Sequence, residues 1–310
     1  MNKTDKPDKK IAQIDFLPPK IETLSYLMRL ENLLKYYKKG KYHMNNIVLP
    51  MKVHAVKLDY RRRILESMPH GYFSARRGKK AVVITYDPEN SKYTAKYPRI
   101  LYVSSKRGKV YSEEIAKYLK VKNEYDLLLN SWKSMYSMPP PRINFPIVQF
   151  ADPHGMNNEF FKNQAGCRGK YKTDNPTVSD HGELKSKNEQ FGADLLKRLD
   201  IPFKYEPEVY LNSIEEMINP DYLINFYEID RCAYLEILGM NDKIAYSLKT
   251  ATKISGFSKD IYRPGREVIY VHVYDRNNFD EDYFVSQVLS AFNDMIPDSA
   301  IIWETISNAV

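Results

Sequence analysis

Two cysteines in 310 residues, Cys167 and Cys232, are too few for a disulfide framework or a zinc cluster, and their scarcity fits a reducing cytosol. No apolar run reaches the ~18 residues needed to cross a bilayer, so no membrane-spanning helix is expected. Residues 1–10 are polar and charged and lack the apolar stretch of a signal peptide, which makes a cytoplasmic location the expectation. The chain also lacks a Walker-type phosphate loop, a GxGxxG turn after a strand, a zinc finger and a nucleophile elbow, which argues against ATP hydrolysis within it. His154, His181 and His272 have no ligand-like partners at useful spacing and read as packed or solvated side chains.

The composition that remains is globular: 43% hydrophobic, 28% charged and 13% aromatic. The net charge of +8 is unevenly spread, since residues 1–180 carry 34 Lys+Arg against 17 Asp+Glu while residues 181–310 carry 13 against 22. A basic half joined to an acidic half suggests that one part meets a polyanion and the other concentrates carboxylates. Basic clusters at Arg61-Arg62-Arg63, at 35–41 and at Arg76, Arg77, Lys79 and Lys80 lie among tyrosines, a mixture that suits phosphates and bases together.

Along the chain, 1–20 reads as a flexible tail and 21–140 as a basic, α+β, nucleic-acid-binding region. Within it the spacing predicts helices from Thr23 to Gly40 and over 59–67, 112–119 and 124–136, with strands over 81–86 and 99–104. After Pro139-Pro140-Pro141, residues 141–182 read as a connector. Over 183–310 the pattern is more regular: a helix over 183–199, strands over 203–211, 221–227 and 233–238, a helix over 242–255 stopping at Gly256, a strand over 267–274, a helix over 280–295, and a last strand over 300–306. Helices alternating with strands in this way imply an α/β sheet covered by helices.

Three acids break their local patterns. Asp221 opens the apolar run Asp-Tyr-Leu-Ile-Asn-Phe, and Glu236 lies near the end of Ala-Tyr-Leu-Glu-Ile-Leu-Gly. If these runs pair as a hairpin, the two carboxylates share one end of the sheet, within reach of a single ion. Carboxylates in apolar strands are costly to bury without a cation or hydrogen bonds, and hard oxygen ligands favour Mg²⁺ or Mn²⁺ over zinc. Glu189 aligns with Gly192 and Leu196 at the margin of its helix's apolar stripe, so it can face the sheet. Glu206 and Glu208, on an edge-like strand, read as structural.

Ser186-Lys187-Asn188-Glu189, the run from Ile201 to Glu206, Pro220-Asp221-Tyr222, and the run from Tyr234 to Met240 form an ordered set over about 181–274. This set resembles a bacterial and phage-associated branch of the PD-(D/E)XK nuclease superfamily, and 65–120 loosely resembles the region upstream in those proteins. The resemblance implies a restriction-endonuclease-like αβββαβ core and metal-dependent phosphodiester hydrolysis. It implies Asp221 and Glu236 as metal ligands, helped by the backbone carbonyl of Ile237, with Glu189 binding directly or through water. The superfamily's Lys two residues after the second acid is Leu238 here; the branch places a Lys on the next helix instead, where Lys253 matches best and Lys249 is one turn earlier on the same face. Ile237 also departs from the His usual in relatives.

These readings converge on an α/β protein whose 183–310 segment is a nuclease-like domain: a Mg²⁺- or Mn²⁺-dependent DNA endonuclease, with Arg61, Arg62, Arg63, Arg76, Arg77, Lys79 and Lys80 meeting DNA. The other class is a nuclease fold that has lost activity and acts in nucleic-acid binding or assembly, which Leu238 and Ile237 favour. A homodimer, or a partner protein in a phage or mobile-element setting, stays open.

Overall fold

The computed structural model describes residues 51–89, 92–136, 138–147, 152–166, 177–179, 182–239, 244–273 and 279–303. The expected tail, the helix from Thr23 to Gly40, the basic stretch 35–41, Cys167 and His181 lie outside these residues. The protein is mixed α/β. Among the described residues no helix is long and apolar enough to cross a membrane.

Its centre is a four-stranded sheet. β7 (Phe203–Tyr205), β10 (Tyr222–Phe226), β11 (Arg231–Leu238) and β12 (Val268–His272) stand in the order β12–β11–β10–β7. β10 pairs antiparallel with both β11 and β7, whereas β11 and β12 run parallel, joined through helix α5 (Ile244–Lys259). The parallel pair requires such a crossover, and the near-continuous apolar runs of β10 and β11 match strands buried on both faces. One face, with Tyr222, Ile224, Leu235, Ile237, Ile269 and Val271, packs against α4 (Lys187–Arg198) and α6 (Glu281–Asp294). The other, with Leu223, Tyr234 and Val268, packs against Phe257 of α5.

The N-terminal part is built from α1 (Met51–Glu66), the three-stranded antiparallel sheet β1 (His70–Arg76), β2 (Lys79–Tyr86) and β3 (Arg99–Tyr102), and α2 (Lys106–Met135). Among the described residues the two long helices of this part share the main core: Val53, Val56 and Leu58 of α1 and Leu128 and Trp132 of α2 join the same apolar cluster as Leu195, Tyr222 and Phe284. A buried ionic network crosses this junction. Lys57 donates to Glu228 at 2.6 Å, and Arg61 reaches Glu124 at 3.1 Å, Asp200 at 3.4 Å and Glu228 at 3.6 Å.

That network corrects one expectation. Arg61 is only 1% exposed and is bound by carboxylates and by the Tyr227 hydroxyl, so it faces the core and not a polyanion. Arg62 donates to Asp59 and Glu66, and Arg63 to Asp59 and the Ile143 carbonyl, so the arginine triplet anchors α1. Helical spacing distributes three consecutive residues around the axis, and here each finds an acid on or against its own helix.

Several boundaries also move. The helices expected over 112–119 and 124–136 are one helix, α2, since no Gly or Pro interrupts them. β1 begins at His70, where the sequence pattern gives no strand. The strand expected over 203–211 is divided into β7 and β8 (Val209–Leu211), because Glu206 takes φ 46° and Pro207 lacks an N–H; β8 instead pairs with β9 (Glu216–Ile218). Within the connector lie a short helix, α3 (Asn158–Asn163), and the β5 (Thr177–Ser179) and β6 (Gly182–Leu184) hairpin. Gly256 does not stop α5 but lies inside it, where a Cβ would come 2.9 Å from Leu211 Cδ1. Of the last strand, β13 (Ile301–Ile302) pairs with β4 (Arg142–Ile143).

Candidate functional site

The register of the central sheet assembles a polar row at one end. Tyr222 pairs with Leu235 and Tyr205, so one step outward Asp221 stands opposite Glu236 on one side and Glu206 on the other. The Glu206 N–H donates to the Asp221 carbonyl at 2.9 Å, fixing this step. Glu236 in turn pairs with Tyr270 on β12. Directly opposed residues share a face, so Asp221, Glu236 and Tyr270 lie on the side covered by α5.

α5 supplies the counter-charge. Lys253 Nζ donates to Glu236 Oε1 at 2.9 Å and Oε2 at 3.2 Å, and to the Asn219 carbonyl at 3.3 Å. Lys249, a turn earlier, is exposed. Asp221 Oδ2 accepts the Ile237 N–H at 2.6 Å, so the carboxylate caps the β11 backbone just before β10 begins. The Ile237 side chain turns to the opposite face, where a Cβ on Gly192 would come 2.9 Å from its Cδ1. Leu238 is buried at 2% and provides no charge in this row.

Glu189 approaches the same end from the other layer. Its helix begins at Ser186, whose hydroxyl accepts from the Glu189 N–H at 3.3 Å and donates to Glu189 Oε1 at 3.0 Å. Glu189 Oε2 accepts the Lys185 N–H at 2.9 Å and the Tyr205 hydroxyl at 2.5 Å. A serine N-cap with a glutamate three residues on is a capping arrangement, favoured also by the positive end of the helix dipole. Among the described residues no three His, Cys, Asp or Glu side chains are grouped so as to hold a metal ion. Asp221 and Glu236 stand together, and Glu189 lies near them but tied to its own helix.

Electrostatics set this cluster apart. Desolvation pushes the Asp221 carboxyl well above the ordinary range, and the charges of Glu236 and Glu189 push it further. Glu236 is also raised, chiefly by burial, although Lys253 opposes the shift by charge and hydrogen bond. Burial raises Glu206 despite its ion pair with Lys185. Burial pulls the Lys253 ammonium down, but Glu236 and Asp221 outweigh it and the net shift is upward. Four acids therefore face two lysines, and the two most deeply placed acids resist ionisation.

This donor set fits a hard divalent cation. Both central groups are carboxylates, the charge of Glu236 opposes ionisation of Asp221, and the Tyr270 hydroxyl beside Glu236 is buried without a hydrogen-bond partner among the described residues. A cation would relieve the repulsion that Lys253 alone leaves.

Sequence reasoning treated Glu206 as structural and passed over Tyr270 and Tyr246. Tyr246 lies near Asp221 and Glu236, and its phenol, raised mainly by burial, bonds to the Gly239 backbone. The row Glu206–Asp221–Glu236–Tyr270 could have been read by pairing outward from the hairpin, but only once β7 and β12 had been set in register. His154 stacks on Tyr262, and His272 lies on β12 beside Leu238, neither in a ligand cluster. Arg76, Arg77, Lys79 and Lys80 are exposed at the β1–β2 turn, apart from the carboxylate row in the sequence and on a different sheet. Neither a family model, a curated protein nor a solved structure gives a significant match to this chain.

Proposed function

We propose that the protein is a divalent-metal-dependent DNA endonuclease with a restriction-endonuclease-like αβββαβ core, of the PD-(D/E)XK type. The observation that carries this reading is the cross-strand Asp221–Glu236 pair with Lys253 held over it by the crossover helix. The element order α4, β7, β10, β11, α5, β12, with an antiparallel hairpin followed by a parallel strand, supports the same core.

Asp221 and Glu236 would hold Mg²⁺ or Mn²⁺, with the Ile237 carbonyl, and with Glu189 directly or through water. When bound, the ion would supply Lewis-acid polarisation of the scissile phosphate and acidify water. The residues do the rest. Lys253 places a fixed ammonium where negative charge builds as water adds to phosphorus and a P–O bond breaks. Asp221 is oriented by the Ile237 N–H, which donates to its Oδ2. Glu206 engages Lys185 at the rim and holds its charge near Asp221.

A second reading, a nuclease fold that binds nucleic acid without cutting, has one observation in its favour: Lys253 already neutralises Glu236 while Glu189 serves as a helix cap. Two measurements separate the readings. A cutting enzyme gains melting temperature with Mn²⁺ or Mg²⁺ and nicks supercoiled plasmid, and Asp221→Ala abolishes cutting while the protein stays folded. Undiminished cutting by Asp221→Ala would remove the assignment; ion-insensitive melting without cleavage would leave the second reading.

A further inference from the structure

Each arginine of the α1 triplet is ion-paired, and another concentration of basic charge lies on the surface. Residues 70–110 contain ten Lys and Arg against two Asp and Glu. Arg76, Arg77, Lys79 and Lys80 surround the tip of the β1–β2 hairpin, all exposed and without an ion pair among the described residues. The hairpin closes through Arg77 and Gly78, at φ 49° and 72°, a two-residue turn with both centres left-handed that matches strand twist and projects the flanking side chains. Lys106, Arg107 and Lys109 follow directly after β3 and are exposed too.

The sheet beneath has two unlike faces. α2 covers one, where a Cβ on Gly71 would lie 3.0 Å from Ile115 Cδ1. Pairing places Tyr72, Val83 and Ile100 in one row of the other face, and Ser74, Ala81 and Tyr102 in the next. On that face Tyr72, Ile100 and Tyr102 are 48%, 43% and 38% exposed, and neither tyrosine ring has a ring contact or side-chain hydrogen bond among the described residues. Arg76 and Lys79 pair two residues further along the same face. The central Ala81 and Val83 are fully buried, so the accessible part of this face is formed by Ile100 and by the phenols of Tyr72 and Tyr102, on strands roughly 10 Å apart across the sheet, with cations at one end.

We infer that this face of the β1–β2–β3 sheet is a binding platform for single-stranded nucleic acid, with Tyr72 and Tyr102 stacking on unpaired bases and the hairpin cations meeting the phosphates. Charge alone would suit any polyanion. The free phenols select a ligand with exposed π-faces, which a paired duplex hides within its stack. The inference extends the nuclease reading by naming unpaired strands as the form of nucleic acid held, but binding here requires neither a metal nor Asp221.

The test uses the full chain in EDTA and the fluorescence anisotropy of labelled oligo(dT) and oligo(rU), about 16 nucleotides long, the upper end of single-strand site sizes. Hairpin duplex of equal charge serves as comparison. The platform predicts tighter binding to single strands than to duplex. Tyr72→Ala with Tyr102→Ala should weaken it about tenfold or more, while the Tyr→Phe pair keeps it, since stacking needs the ring and not the hydroxyl. Replacing Arg76, Arg77, Lys79 and Lys80 by Ala should lower the salt dependence of log K by about 3. Unchanged melting temperature certifies the folding of these surface variants, and Asp221→Ala should bind like the parent, so loss of cutting cannot be mistaken for loss of binding. Equal affinity for duplex with neutral Tyr→Ala variants, or no binding at low salt, overturns the inference.

Discussion

At Glu236 a buried carboxylate, an opposing carboxylate and an ammonium share one end of the sheet, and Lys253 is the group whose removal tells most. Lys253→Ala leaves Glu236 and Asp221 without the charge that lowers their proton affinity, so both rise further. A divalent ion needs them deprotonated, so its effect on melting temperature should begin at higher pH in the variant. Above that onset the ion should bind at least as well, because Glu236 has lost its competing partner, while plasmid cutting falls by about 10²-fold or more. Lys249→Ala should match the parent within roughly twofold, because Lys249 is exposed and has no hydrogen bond or ion pair with the carboxylates among the described residues; equal losses in the two variants would sink the assignment of Lys253. Asp221 and Glu236 stood out in the sequence because each interrupts an apolar run, whereas Lys253 was singled out only by the family resemblance. Glu189 was legible as a residue of this end of the sheet but not as a cap, since its role depends on where the helix starts. The fates of Arg61, Arg62 and Arg63 were not legible at all: a triplet of arginines looks alike in sequence whether it meets phosphates or, as here, Glu124, Asp59 and Glu66.

Elements recognised from long apolar runs came through best. β10, β11 and β12 are strands because their runs are buried on both faces, and α4, α5 and α6 carry the amphipathic spacing that covers them. Elements whose identity depends on partners were missed: β9 exists because β8 offers it an edge, and β1 because β2 does. The first turns of α1 were hidden for a related reason, since Lys52, His54 and Lys57 look like surface residues and two of them are buried. The seating of α4 on the sheet rests on Gly192, where a Cβ would lie 2.9 Å from Ile237 Cδ1 and 3.3 Å from Phe284 Cε2. Gly192→Ala should be nearly neutral, the gain in helix propensity offsetting a small shift of the flexible isoleucine end. Gly192→Val adds a branched side chain to the same gap and should cost about 2 kcal/mol in urea unfolding, with weaker ion-induced stabilisation because Ile237 also anchors Asp221. A valine variant as stable as the parent would show that the α4 contact is looser than drawn here.

Across the whole molecule, two buried groups on the α1–α2 interface make pH dependence an internal balance. Glu124 is raised from 4.5 to about 7, mainly by burial, with Arg61 opposing and Asp200 reinforcing. His54, whose ring Nε2–H donates to the Leu128 carbonyl, is lowered from 6.5 to about 4, again mainly by burial. A carboxyl raised in the folded state holds its proton where the unfolded chain has lost it, so its contribution is complete below pH 4.5 and is lost as pH rises through 7. A histidine lowered in the folded state stays neutral where the unfolded chain takes up a proton, so its contribution is complete above pH 6.5 and is lost as pH falls toward 4. Each span is on the order of 3 kcal/mol, and over most of the interval the two slopes oppose each other. Between pH 5 and pH 6.5 the advantage of the parent over Glu124→Gln should therefore shrink by about 2 kcal/mol as pH rises, and its advantage over His54→Gln should grow by a similar amount. The double variant should show neither trend. Urea unfolding at the two pH values measures all four chains, and trends of the same sign in both single variants would mean that burial at this interface does not set these protonation states. Since α1 shares its core and its ion pairs with the central sheet, the experiment also asks whether the basic N-terminal part and the carboxylate-bearing sheet unfold together, as one cluster of side chains requires.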